Sequence, residues 1–490
     1  MIDETIRISG KFQVEIKSDY KLERDRKHTT YTIETYAFVP NSLDVSHDTY
    51  PKYLFYRDTQ TYIRFKIPTV LLHDIAAVES RPFKLLEDSL RDLVAKKTDE
   101  TARSCENQIR LFCCVLKSSV KDYVALIGDV GSATDAGHLV EHYHTSLVKI
   151  LSRFRKLAKN TGLSSMDERI RSIYAFADEY SSIFIEQNTF DILLRTRKFE
   201  DDNSAVHRTM LLKLIRNEKR YRTEKGYPSV ASADTDNEEF LYRRGVLKRL
   251  MESILFLNTR VRAEGKITEQ VIYSLAAGLA MVFATTVAFL TQQKYGNFTM
   301  AFFVALVVSY MLKDRLKEMG RLYVNKKVQG RFFDQKVHIY GGSGGNQLGF
   351  IREGFRFISE ASLQPVIRSL RNRDPITLID NERLGEKIIL YRKSLQIFSR
   401  DFEQVYHGIP IDGLTDIWRV DMTRFVRKMD NPKKPLFVLD GEGYRNAKAS
   451  KVYHINLVIR YVASHGEEFK RFRIVLNRGG IKRIETVENK

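Results

Sequence analysis

Hydrophobic and polar positions divide this chain into stretches of different period. Near the middle two apolar runs lie back to back, Val271 to Leu290 and Phe298 to Leu312, and neither contains Asp, Glu, Lys, Arg or His. At about 1.5 Å rise per residue the first run makes a helix about 30 Å long, which matches the hydrocarbon core of a bilayer. The second run is shorter. Tyr295 and Asn297 extend it at one end and the stem of Lys313 at the other, since a long cationic side chain buries its methylenes while its charge stays in water. Only Thr291 to Asn297 lies between them, so the pair predicts a two-helix transmembrane hairpin over 268–312, with spans at 271–290 and 298–312. The competing reading is a buried hairpin of a soluble domain, but a core helix of that length carries a polar stripe, and these runs have none.

Before the hairpin the period changes once. Ile6, Ile8, Phe12, Val14 and Ile16 alternate with polar residues, the pattern of a half-buried strand. Tyr53 to Tyr56 and Tyr62 to Ile67 read as a β-hairpin turning at Arg57 to Gln60. These strands predict a small antiparallel β domain at 1–76. From about residue 80 the spacing is helical, as in Ile109, Phe112, Leu116, Val120 and Tyr123, and predicts an α-helical bundle over 80–222. A polar, turn-rich loop follows at 223–239. Leu247, Leu250, Ile254, Leu257 and Val261 then form a heptad seam, read as a stalk helix over 240–266. Leu312, Leu316, Met319 and Tyr323 continue the second span as a stalk helix over 313–334.

The remainder, 335–490, reads as a basic, β-rich domain. Gly341-Gly342-Ser343-Gly344-Gly345 suggests a connector from stalk to β domain, Phe350 to Leu370 looks helical, and Ile388 to Phe398 is ambiguous. A meander follows from Trp418 onward, with a hairpin turn at Asn477-Arg478-Gly479-Gly480. The expected fold class is a multidomain α+β membrane protein: N-terminal antiparallel β domain, α-helical bundle, two-helix transmembrane hairpin with helical stalk, and C-terminal β-rich domain. The two β regions flank a hairpin that returns the chain to its own side, so contact between them is allowed.

Charge adds sidedness. The chain is +19 overall, and +14 of that lies from Lys313 onward. Arg243, Arg244, Lys248, Arg249, Arg260, Arg262 and Lys266 precede the first run, and seven more cations from Lys313 to Arg331 follow the second. Positively charged flanks stay cytoplasmic, so both termini are expected on the cytoplasmic side of an inner (plasma) membrane. Met1-Ile2-Asp3-Glu4 begins no basic, apolar leader, and no signal peptide is expected. The basic half suits anionic inner-leaflet lipid, the favoured partner, or nucleic acid, which is not favoured. Cys105, Cys113 and Cys114, an odd number with no C-x-x-C pair, suit a reducing compartment and the core of one helix.

Within the runs the small residues recur. Ala276, Ala280, Ala284 and Ala288 fall every fourth residue, as do Ala301, Ala305 and Ser309. Such stripes let helix backbones approach closely and are read as the packing surface of the hairpin or of a homo-oligomer. Without an ionisable group in either span, the hairpin alone predicts no ion or proton pathway.

Candidate chemistry is sparse. His138-Leu139-Val140-Glu141-His142 matches the H-x-x-E-H zinc motif of the inverted-zincin peptidases. Two imidazoles one turn apart on a helix can hold Zn²⁺ while the Glu activates water. The resemblance implies His138, His142 and Glu218 as metal ligands and Glu141 as general base. It extends no further than these residues. Arg471, Arg473, Lys482 and Arg483, interleaved with Phe469 and Phe472, form a basic strand pair that could meet lipid headgroups or nucleic acid. The glycine run lacks the G-K-[ST] ending of a P-loop, and no G-x-S-x-G is present. The reading that results is an integral membrane protein acting as an interaction, scaffold or sensor module at the membrane surface, more an adaptor than an enzyme and expected to need no cofactor. Self-association into a homo-oligomer is expected, and a protein partner is allowed. The alternatives are a membrane-tethered zinc-dependent hydrolase and a membrane-anchored nucleic-acid-binding protein.

Overall fold

The computed structural model describes residues 2–23, 25–67, 69–160, 167–197, 204–264, 266–296, 299–328, 333–341, 345–371, 385–405 and 411–487. The chain begins with strands β1 (Asp3–Gly10), β2 (Gln13–Lys21) and β3 (His28–Pro40), helix α1 (Lys52–Asp58) and strand β4 (Thr59–Lys66). Seven helices follow: α2 (Leu72–Ala76), α3 (Arg81–Ala95), α4 (Asp99–Asp129), α5 (Ala133–Asn160), α6 (Glu168–Thr196), α7 (Ser204–Glu224) and α8 (Glu238–Glu252). Next come β5 (Asn258–Ala263), two long helices α9 (Lys266–Tyr295) and α10 (Met300–Val328), β6 (Gln335–Gly341), β7 (Asn346–Ile358) and α11 (Pro365–Arg371). The last strands are β8 (Glu386–Phe398), β9 (Gly413–Asp421), β10 (Lys433–Asp440), β11 (Gly443–Ser450), β12 (Tyr453–Ala463), β13 (Gly466–Asn477) and β14 (Gly480–Thr486). The protein is thus mixed α+β, and its chain divides into two compact units.

The first unit holds residues 1–63, 257–405 and 414–490. Its larger sheet has the order β14-β13-β12-β3-β8-β7-β6-β5, and the smaller has the order β1-β2-β9-β4. The N-terminal strand β3 sits in the centre of the large sheet, antiparallel to β12 on one side and to β8 on the other. The β regions expected at 1–76 and 335–490 are therefore interleaved in one sheet system rather than two separate domains. Alternation explains the packing: Val14, Ile16, Ile389, Tyr391, Trp418, Val420, Leu457 and Ile474 point inward from both sheets and enclose a residual cavity of about 50 Å³. Tyr391 stacks on Trp418 at 4.6 Å, and Phe55 of α1 stacks on Phe355 at 4.3 Å. The opposite face of the large sheet is covered by α11, where Tyr36, Phe38, Ile388, Leu390 and Val458 meet Ile367 and Leu370.

Four local expectations are corrected here. The β-hairpin expected at Tyr53–Ile67 is instead helix followed by strand: α1 begins after Pro51 and plants Phe55 in the sheet core. The helix expected at Phe350–Leu370 is β7 followed by the short α11, because Ile351, Glu353 and Phe355 face the core in alternation. The glycine run joins β6 to β7 as the turn of a β-hairpin, not stalk to domain; of its residues, 342–344 lie outside the described ones. The stalk helix expected over 240–266 ends at Glu252, and Val261 lies on the exposed strand β5, where Thr259 and Val261 alternate with Arg260 and Arg262.

The second unit holds residues 64–256 and 406–413, a helical bundle centred on α6. That helix is buried around most of its circumference, and acids occupy several of the shielded positions. Arg155 donates to Asp178 at 3.0 Å and grips both oxygens of Glu218 at 3.0 and 2.7 Å. Arg243 grips Glu179 at 3.1 and 2.8 Å. Arg222, fully buried, donates to Ser182, Glu186 and the carbonyl of Ser229. Burial of a charge is tolerated only with such complete pairing. Cys105, Cys113 and Cys114 are free thiols buried on α4, and burial pushes the Cys113 thiol up to about 12.

Candidate functional site

Helices α9 and α10 interrupt the large sheet of the first unit at its edge. Strand β5 pairs antiparallel with β6, with Ala263 opposite Gln335, so everything between them replaces what would be the turn of a β-hairpin. The two ends are fastened together. The backbone N–H of Glu264 donates to the carbonyl of Asp334 at 3.0 Å, and the N–H of Asp334 donates to Glu353 at 2.7 Å. The Asp334 carboxylate accepts from Lys52 Nζ and Tyr56 Oη, each at 3.0 Å, and from the Phe355 N–H at 2.7 Å. Arg352 pairs with Glu264 at 3.0 Å. Burial, reinforced by the charges of Asp334 and Glu353, pushes the Tyr56 phenol far above its ordinary range and keeps it a neutral donor.

Behind this clamp lies a buried polar chain. Glu353 accepts from Gln335 at 2.6 Å and from Tyr391 at 2.8 Å, and Lys393 stands 3.8 Å from Glu353 and 2.7 Å from Asp416. Burial pushes the Asp416 carboxyl up, against the opposing pull of Lys393. Lys393 and Asp416 come from the two different sheets, so this ion pair crosses the core.

The helical pair is packed inside out. Ala280 and Ser309 are each only 4% exposed, and Ala276, Ala284, Ala288 and Ala305 are half-buried. The large residues face away: Leu275, Leu279, Val282, Phe289, Phe303 and Met311 are all more than half exposed. Ala301 lies on α10, and its side chain is outside the described ones, as are Asn297 and Phe298 between the helices. Small residues at the seam permit close backbone approach, and a Cβ placed on Gly320 would stand 3.3 Å from the Cβ of Ala276.

That contact sets the register. With Ala276 level with Gly320 and equal rise on both helices, Ala284 is level with Leu312 and Phe283 with Lys313. The apolar part of α10 therefore lies beside the far half of α9, and the charged run Lys313, Asp314, Arg315, Lys317 and Glu318 lies beside Gly278 to Phe283. Both helices are apolar at the same level only over Ala284–Thr291 and Ala305–Leu312, about 12 Å. Among the described residues one helix, over Tyr273–Tyr295, is long and apolar enough to cross a bilayer. The two spans expected at 271–290 and 298–312 are thus matched by one candidate helix, and the shorter second run, over its described residues, does not meet the same measure of length and hydropathy.

The motif residues lie elsewhere and apart. His138, Glu141 and His142 are exposed on α5, with Glu141 3.2 Å from His207 of α7. Glu218 is buried and held by Arg155, which sits 14 residues beyond Glu141 on α5, about 21 Å along the helix. The three proposed ligands and Glu141 are not brought together. Among the described residues no group of three or more His, Cys, Asp or Glu is arranged to hold a metal ion.

On the basic strand pair, Arg471 is buried, Arg473 donates to Asn456 and stands 3.6 Å from Glu485, and Arg483 donates to Glu485 at 2.6 Å. The Arg483 hydrogen bond, with Arg473 behind it, holds Glu485 below the usual carboxylate range. Only Lys482 and part of Arg483 offer charge outward. Two features escaped the sequence. The clamp joins residues as far apart as Lys52 and Asp334 and has no local signature. The ribbon of β10 and β11 falls within the expected meander, yet among the described residues it pairs with no other strand, and its lysines at the base and apolar residues toward the turn are visible in the sequence.

No protein family, curated protein or solved structure matches this chain.

Proposed function

We propose that this protein is a membrane-anchored interaction or scaffold module whose anchor is the α9–α10 hairpin. The observation that carries the reading is the inverted hairpin: small side chains in its seam and large apolar ones outside, over helices about 45 Å long. In water such a surface is a liability far larger than a soluble monomer tolerates, whereas lipid is the solvent in which it needs no cover. The cations at the root of the hairpin, Arg260 and Arg262 on β5, Lys266 at the start of α9 and Lys326 and Lys327 near the end of α10, suit the cytoplasmic face of an inner membrane.

The register offset supports self-association. With α9 spanning, Asp314, Arg315, Lys317 and Glu318 fall alongside a lipid-level stretch of α9, and charges at that depth face other protein or water rather than acyl chains. A homo-oligomer covers them, and snorkelling of Lys313 and Lys317 with local thinning of the bilayer accommodates the rest. The clamp around Asp334 makes the anchor a continuation of the large sheet, which suits a module that presents a rigid surface at the membrane.

The test is a charge placed where lipid is expected. Leu279→Lys with Val282→Lys substitutes two outward positions and leaves the seam intact. The double variant should move the protein from the membrane fraction to the supernatant with its circular dichroism unchanged, while Leu241→Lys, an exposed site on α8, should not. Equal partition of the wild type and the double variant would contradict the proposal.

A further inference from the structure

The β10–β11 ribbon stands as a two-stranded sheet of its own, with Leu436 opposite Ala447, Phe437 opposite Asn446 and Leu439 opposite Tyr444. An isolated two-stranded hairpin is marginally stable in water and ordinarily hides an apolar face. Here that face is uncovered: Leu439 is 89% exposed, Tyr444 75% and Phe437 67%. The alternation of a strand puts Pro435, Phe437 and Leu439 on one side together with Tyr444, whose ring packs edge-on to Phe437 at 5.9 Å. On this same side, nearer the base, are Lys433 and Lys448. Lys434 flanks the base from the other side. These three lysines are exposed, and the charge of Lys434 also acts on Asp430.

The acids of the ribbon are placed differently. Asp440 is on the opposite side and pairs with Arg445 at 3.5 Å, and Glu442 is in the turn. The base is fixed to the body of the first unit, where Asp430 receives Lys451 and the Tyr453 hydroxyl. The ribbon therefore presents an amphipathic face: aromatic and aliphatic in the middle, cationic at one end and free of carboxylates.

We propose that this face lies flat on an anionic lipid surface, with Phe437, Leu439 and Tyr444 among the upper acyl chains and Lys433, Lys434 and Lys448 at the headgroups. Charge complementarity selects lipid: exposed lysines beside an apolar face gain from a negative leaflet, and a tyrosine with its polar end at the boundary is suited to the interface. Lying flat keeps Asp440 and Glu442 in water, which a tip-first insertion would not. The inference rests on the membrane-anchor reading above, because only an anchored chain keeps the ribbon close enough to the leaflet for a weak contact to persist.

The experiment uses the full chain in lipid nanodiscs with a nitroxide attached at Leu439→Cys. The three native thiols are buried and should not compete for the label. Two disc compositions are compared, phosphatidylcholine alone and the same lipid with about one third phosphatidylserine, close to the anionic regime of an inner leaflet. In anionic discs the nitroxide should become accessible to oxygen and shielded from a water-soluble nickel chelate; in neutral discs it should remain in water. K433Q/K434Q/K448Q should return the label to water in anionic discs, a loss of about a hundredfold in the ratio of docked to free ribbon for three lysines.

A label that stays in water in anionic discs overturns the proposal, as does equal embedding in both compositions. So does a label shielded from both reagents before lipid is added, which would mark a protein contact. Co-flotation of protein with the discs is scored on the same samples. Protein that floats with its label in water removes the ribbon inference alone, and protein that does not float removes the anchor and the ribbon together.

Discussion

The backbone N–H of Glu264 donates to the carbonyl oxygen of Asp334 at 3.0 Å, joining the residues at the two roots of the long helical hairpin. The helices extend from adjacent strands of one sheet, and Asp334 ties that junction to α1 and β7 through three further donors. Asp334→Ala leaves the Tyr56 hydroxyl and the Phe355 N–H without an acceptor. The expected cost is about 2–3 kcal/mol, seen as a lower denaturation midpoint of the first unit. Trp418, the one tryptophan of the chain, lies in the core of that unit and reports it by fluorescence.

The Lys393–Asp416 pair crosses the same core and predicts a non-additive series. Lys393→Met strands Asp416 beside Glu353 and should cost about 3–5 kcal/mol by the same fluorescence measurement. Adding Asp416→Leu removes the stranded charge, so the double variant should be more stable than the single one. If the two losses simply add, the buried-charge account of this pair is wrong.

Glu4 gives a pH dependence of defined sign. Burial pushes its carboxyl up to about 7; the Tyr461 hydroxyl and Lys470 pull it back, and Glu468 adds to the rise. A raised value in the folded state means that folding favours the protonated acid. That contribution is complete below about 4.5, the ordinary value, and is lost as pH rises through about 7. Between pH 5 and pH 8 the denaturation midpoint of the wild type should fall relative to that of Glu4→Gln, which cannot ionise. Parallel profiles would show that Glu4 is not the responsible group.

The seam of the helical hairpin can be checked by cross-linking. The 3.3 Å between the Ala276 Cβ and a Cβ placed on Gly320 is near the separation that a disulfide spans. Ala276→Cys with Gly320→Cys should oxidise readily, so that thiol counting in denaturant still finds three free cysteines, the number native to the chain. Five free thiols after oxidation would refute the register and with it the offset between the two apolar runs.

Much of this architecture was visible in the period of the sequence, and the exceptions have physical causes. Ile6 to Ile16 alternates as strands β1 and β2 require, although Ile8 is left exposed and Glu15 is buried beside Val14 and Ile16, and Ile109 to Tyr123 repeats helically on α4 although every position from Leu111 to Leu116 is buried. Period fails where both faces are covered. Ile388, Ile389, Leu390 and Tyr391 are all buried, two facing the sheet core and two facing α11, so β8 shows no alternation. It fails again at Lys52–Asp58, where short helix and short strand share the same apolar spacing. Nothing local could place β3 between β8 and β12, since that pairing joins residues at opposite ends of the chain. The apolar runs themselves were plain, but their mutual register depends on Gly320 meeting Ala276, which neither run contains in full.

The central claim is that lipid is the solvent for the outer surface of α9 and α10. Washing membranes from cells that carry the unaltered chain with alkaline carbonate tests it most directly, since this treatment strips proteins held only at the surface. Retention of the chain in the washed membranes is the predicted result. Its release into the wash as a folded, detergent-free protein would contradict the account.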